Sequence, residues 1–127
     1  MKGAEALRDS VRIEHVILGS VLLDNTLWGE AKALREQDFS LSAHQRIFRT
    51  MRDLHDAGSA IDMITVAESL EQHKEIESIG GVAYLSSLID GVPERPSIAN
   101  YVSILSGYAR RRAGAKAGRV NSSRRIL

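Results

Sequence analysis

Cysteine is absent from the 127 residues, which excludes a disulfide framework, a thiolate zinc site and a cysteine nucleophile and is compatible with a reducing compartment. No apolar run approaches the roughly 20 residues that a membrane span needs. The opening residues Met1, Lys2, Gly3, Ala4 and Glu5 lack the apolar stretch of a secretion signal. The expectation is a cytoplasmic protein without membrane attachment. Aromatic side chains make up only 5% of the chain. Acidic residues stop at Glu94, so from Arg110 onward seven Lys and Arg stand with no acid. Up to Ala109, ten Lys and Arg face all sixteen Asp and Glu. The net charge of +1 therefore conceals a mildly acidic body and a basic end.

What is present is helical spacing. Hydrophobic residues amount to 43%, enough for one core at this length. Ile13, Val16, Ile17, Val21 and Leu22 recur at three and four residues, widened by Leu18 and Leu23, and predict a first helix that buries most of one side. Within it Gly19 and Ser20 either admit a neighbouring helix or merely weaken this one. Asp24, Asn25 and Thr26 supply stop and cap chemistry before a second short helix with Leu27, Trp28, Ala31 and Leu34. Ser42 to Gln45 fits a capping box opening a third helix with Ile47, Phe48, Met51 and Leu54 on one face and Gly58 as its left-handed end. Thr65 to Glu68 repeats the box for a fourth helix, with Ala67 and Leu70 inward and Ile76 and Ile79 closing toward the core. Gly80 and Gly81 break the chain, and a fifth helix carries Tyr84, Leu85, Leu88 and Ile89. Pro93 and Pro96 hold the next connection extended.

A sixth helix, starting near Ser97 or Ile98, has Ile98, Tyr101, Val102, Ile104, Leu105, Tyr108 and Ala109 apolar. At about 100° per residue these span roughly 160°, wider than one core contact requires. Two readings follow: a surface for another polypeptide, or a helix wrapped on both sides by its own domain. Glycines at 114 and 118 predict fraying from about Ala113. No segment alternates as a strand would. The fold class is all-α, about six helices with a long C-terminal helix or partial helical hairpin. The expected organisation is an N-terminal extension at 1–12, a helical domain at 13–112 and a basic, disordered tail at 113–127.

The order of particular residues resembles the N-terminal domain of bacterial replicative DNA helicases of the DnaB family. The matching phrases are Glu14 with Val16 to Asn25, Asp38 and Phe39, Ala43 to Phe48, Leu54 to Gly58, Ile61 and Asp62, and Thr65 to Glu68. Gly80 to Leu85, Val92 and Pro93, and Ala99 to Tyr101 complete the order. Together they cover about Val11 to Tyr108. The resemblance implies a collar domain that pairs with copies of itself on a hexameric ring and takes part in contacts with primase and the helicase subunits. It also implies that ATP and magnesium belong to a motor domain outside this sequence. In the family the sixth helix turns back into a seventh; the glycine-interrupted basic stretch departs from that pattern and puts hairpin pairing in doubt.

Catalytic chemistry finds no support in the residues. A phosphate loop needs G-x-x-x-x-G-K-[ST], and the nearest stretch, Gly114 to Val120, has the wrong spacing. His15, His44, His55 and His73 form no metal-binding pair and read as surface or helix-end residues. Glu68, Glu71, Glu75 and Glu77 read as a solvated face. No catalytic residue, metal ligand or cofactor is assigned to the chain. The expected role is non-catalytic oligomerisation and partner docking through Ile98, Tyr101, Val102, Ile104, Leu105 and Tyr108. The alternative is weak, sequence-indifferent nucleic-acid binding through Arg110, Arg111, Arg112, Lys116, Arg119, Arg124 and Arg125. Against that alternative stands a basic end that is only a solvated tail.

Overall fold

Helix-period apolar residues produce helices throughout the structure, a computed structural model describing residues 2–90, 92–94 and 97–126, with side chains at 3–90, 92–94 and 97–114. Among the described residues there are six α-helices and no strand. They are α1 (Lys2–Leu23), α2 (Trp28–Ala31), α3 (Ser42–Asp56), α4 (Met63–Gln72), α5 (Gly81–Ile89) and α6 (Ala99–Ile126). Single 3-10 turns at Asn25–Leu27, Glu36–Asp38 and Glu77–Ile79 join them.

The first helix begins at Lys2, well before the apolar stripe that starts at Ile13. Ala4, Ala6, Leu7 and Arg8 are strong helix formers, and Glu5 in the first turn complements the positive end of the helix dipole. Residues 2–12 are thus continuous with the domain's first element. At the other end α6 is a single long helix. The disordered tail expected at 113–127 falls, from residue 115 on, outside the residues whose side chains are described.

Two of the expected caps are built differently. The α3 cap position is Leu41, and the Gln45 side chain does not reach back to form a box. It donates instead to the Phe39 carbonyl at 2.8 Å. For α4 the cap is Asp62, three positions ahead of the expected box, and Thr65 is its reciprocal partner. Asp62 accepts from the Thr65 amide and Thr65 Oγ1 accepts from the Asp62 amide, each at 2.9 Å. Val66 and Leu70 are therefore the buried pair, with Ala67 only half-buried. The end of α3 is as expected: Gly58 has φ +77°, and the Gly58 and Ser59 amides return to the carbonyls of His55 and Leu54.

The core lies where α1 crosses the other helices. Ile17, Leu18, Val21, Ile47, Phe48, Met51, Leu70 and Leu85 are all sealed from solvent. Trp28 stacks near Phe48 at 5.1 Å and Phe48 near Phe39 at 4.8 Å between ring centroids. The Arg52 guanidinium lies over two of these rings, 5.6 Å from the Trp28 centroid and 5.2 Å from that of Phe48, while donating to the Leu34 carbonyl at 2.6 Å. Gly19 decides how α5 meets α1. A Cβ there would come within 1.9 Å of the Leu88 carbonyl oxygen, so only glycine admits the end of α5 at this distance. Glu30 then fixes where α6 starts, accepting from the Ile98 amide at 2.7 Å and the Ser97 hydroxyl at 2.8 Å.

Candidate functional site

The six apolar residues expected to form an interface on α6 divide into two stripes. Ile98, Val102 and Leu105, together with Ala109, are buried in this chain's own core. Tyr101, Ile104 and Tyr108 follow one another at three and four residues, roughly a quarter turn away at about 100° per residue. Tyr101 and Tyr108 are half-buried and Ile104 is 41% exposed. The wide arc is therefore partly a core stripe and partly a surface stripe. Against the surface stripe lies the amino-terminal half of α1. A cleft of about 280 Å³ is lined by Asp9, Arg12, Ile13, Val16, Tyr101 and Tyr108. A more apolar one of about 370 Å³ is lined by Gly3, Ala6, Leu7, Tyr108 and Arg112. Tyr108 is a wall of both, and Leu7 is 49% exposed at the rim.

Of the basic residues, Arg110 and Arg111 are exposed. Arg111 lies over the Tyr108 ring at 5.0 Å, and Arg112 turns back to donate to the Asp38 carbonyl at 2.5 Å. That contact ties α6 to the Glu36–Asp38 turn and withdraws Arg112 from a solvent-facing basic strip. Lys116, Arg119, Arg124 and Arg125 lie outside the residues whose side chains are described.

Sequence reasoning missed a buried polar cluster joining α1, α3 and α5. Glu14 and His44, both sealed from solvent, face each other with Nδ1 of His44 donating to Glu14 Oε1 at 2.6 Å. The second carboxylate oxygen accepts from Ser10 Oγ at 2.6 Å, the Ser40 amide at 2.9 Å and Ser40 Oγ at 2.6 Å. On the far side of the imidazole, His44 Nε2 is 2.5 Å from the Tyr84 hydroxyl, which is also 3.1 Å from His15 Nε2. Helices α1, α3 and α5 are thus joined by one continuous chain of polar atoms. Burial pushes the Glu14 carboxyl up, but bonds from His44, Ser10 and Ser40 outweigh it and hold the group below the usual carboxylate range. Burial and the neighbouring His44 lower His15, and burial with the Glu14 charge raises Tyr84.

His44 does lie in the first turn of α3, as expected, but it is sealed from solvent rather than on the surface. A signal for this existed: His44 precedes Ile47 and Phe48 by three and four residues, on the apolar face. Glu14 likewise precedes Ile17 and Leu18 on the inward face of α1. A carboxylate and an imidazole, each on the buried side of its helix, must find a partner.

The sequence and the order of helices match known proteins. A family model described as "DnaB-like helicase N terminal domain" matches residues 6–107. The chain belongs to that family. The chain is 42% identical over 100 residues to the replicative DNA helicase DnaB of Buchnera aphidicola subsp. Baizongia pistaciae, covering 78% of this chain and 22% of that protein. With the replicative DNA helicase DnaB of Geobacillus stearothermophilus it shares 38% over 97 residues, covering 76% of this chain and 21% of the relative. The chain thus spans about a fifth of the length of these relatives. Among solved structures, the N-terminal domain of DnaB helicase from Mycobacterium tuberculosis superposes with a TM-score of 0.80 at 29% identity, over 92% of this chain and 87% of that one. This DnaB-type N-terminal domain has no helix, among the described residues, that is long and apolar enough to cross a membrane. Nor do its described residues hold a cluster of three or more His, Asp or Glu able to bind a metal ion.

Proposed function

We propose that this DnaB-type N-terminal domain serves DNA replication as a non-catalytic part of a replicative helicase assembly, associating with copies of itself and docking partners such as primase. On this reading ATP hydrolysis belongs to a motor domain, and this chain supplies contact surface. The observation that carries it is the surface stripe of α6, exposed Ile104 between half-buried Tyr101 and Tyr108, which meets the exposed Leu7 of α1 across the cleft that Tyr108 lines. Tyrosines beside aliphatic side chains suit an interface, because their rings bury area while the hydroxyls stay wet.

The test is molar mass in solution by light scattering over a concentration series, compared with Ile104→Glu and Tyr108→Glu. Oligomeric mass that falls to the monomer in either variant supports the reading. A wild-type monomer at every concentration, or a mass unmoved by both changes, removes self-association. The nucleic-acid alternative predicts duplex or single-strand binding that weakens steeply with salt. It draws support from exposed Arg110 and Arg111, while Arg112 is engaged with the Asp38 carbonyl.

A further inference from the structure

The buried cluster around Glu14 has a property that neither the interface nor the core requires. Tyr84 has one hydroxyl proton and two imidazole nitrogens within hydrogen-bonding distance, Nε2 of His44 at 2.5 Å and Nε2 of His15 at 3.1 Å. It can donate to only one of them. Nδ1 of His44 is committed as a donor, because Glu14 Oε1 is an acceptor and the other oxygen already accepts three bonds. We propose that His15, Tyr84, His44 and Glu14 form a proton relay that takes up one proton as a unit, admitting it at His15 and storing it on His44 beside the Glu14 carboxylate.

Two arrangements satisfy every atom. In the first, His15 Nε2–H donates to the Tyr84 oxygen and the Tyr84 hydroxyl donates to His44 Nε2. In the second, His44 Nε2–H donates to the Tyr84 oxygen and the Tyr84 hydroxyl donates to His15 Nε2. The second holds one proton more. Passage between them is balanced: a proton from water bonds to His15 Nδ1, the His15 Nε2 proton moves to the Tyr84 oxygen, and the Tyr84 proton moves to His44 Nε2. His15 ends neutral with its tautomer exchanged, and the extra charge rests 2.6 Å from the Glu14 carboxylate. The buried junction goes from a net negative charge to none without losing a hydrogen bond.

His15 is placed for entry because it is half-buried whereas His44 and Glu14 are sealed. Among the described residues its Nδ1 has no hydrogen-bond partner. The titratable groups facing the relay are Glu14 and His15 from α1, His44 from α3 and Tyr84 from α5; the segment before α3 contributes the uncharged Ser40. Burial and the nearby His44 ring hold His15 below its ordinary value, which disfavours keeping the proton there. A second proton has no comparable place. It would set two imidazolium rings 5.2 Å apart and make Tyr84 accept from both.

Nitrogen-15 spectra of the histidine rings in the full chain, recorded from neutral to mildly acidic pH, test the relay. In the wild type His15 is expected to exchange an Nε2 proton for an Nδ1 proton while staying neutral, at the same midpoint at which His44 becomes doubly protonated. Tyr84→Phe removes the connecting hydroxyl, and His44→Gln keeps a donor toward Glu14 and an acceptor toward Tyr84 but cannot store a proton. Each should abolish the tautomer exchange at His15. A wild-type His15 that passes directly from singly to doubly protonated overturns the relay, as does an exchange that persists in either variant. If neither variant folds, the wild-type spectra alone decide.

Discussion

Glu14 shows how much a single buried carboxylate organises. Four donors converge on it from α1, α3 and the segment between the Glu36–Asp38 turn and α3. Replacing it with alanine leaves those donors without an acceptor, which is where buried polar groups are most costly. Glu14→Ala is expected to lower the unfolding free energy by about 3 kcal/mol in a urea titration. The same residue makes the fold acid-sensitive. Its carboxyl is lower in the folded chain than in the unfolded one, so the stability it contributes is complete above the ordinary carboxylate range and is lost as pH falls through the lowered value. His15 acts in the same direction. Its folded value is also depressed, so the unfolded chain binds the proton first and stability declines as pH falls below the ordinary histidine value. Thermal melts from pH 7 to about pH 2 are therefore expected to fall in two stages, the upper of which is missing in His15→Gln. The sequence contained both residues on apolar faces, yet no spacing rule could show that they meet, because Glu14 and His44 are 30 positions apart.

At the scale of elements, the turns and glycines decide how closely the helices pack. The Gly19 and Ser20 pair in the sequence was compatible with close approach or with plain weakening of α1. The Leu88 carbonyl, 1.9 Å from where a Cβ would stand, selects close approach. Gly19→Ala is expected to destabilise the fold by at least about 2 kcal/mol in thermal unfolding, since backbone rather than a flexible side chain must move. Gly107→Ala is the contrasting case. It lies inside α6 with nothing within 4 Å of an added Cβ, and should stabilise by about 0.5–1 kcal/mol through helix propensity alone. Helix positions were legible because the apolar period is local. Cap positions were less so, because Asp62 and Thr65 both carry capping chemistry and only the path of the chain from Ile61 settles which one precedes the helix. Nothing in the residues around Ile13 marked the true start of α1, as good helix formers without an apolar stripe leave no periodic signal.

For the whole molecule, the division of α6 into two stripes is the decisive outcome. Leu105 is sealed inside and Ile104 beside it is exposed. A charge at Leu105 should therefore unfold the chain, whereas Ile104→Glu should leave far-UV circular dichroism and melting temperature close to wild type and act only on association. Confusing the two would report a loss of folding as a loss of pairing. By itself, the order of residues determined the helical class, the six-helix succession and the family, because amphipathic period and motif order are written along the chain. Only the tertiary structure decided which half of α6 belongs to the core and that Glu14, His44, Tyr84 and His15 share one junction. Burial is a property of surfaces that meet in space, and residues on α1, α3 and α5 become neighbours only after the chain has closed on itself.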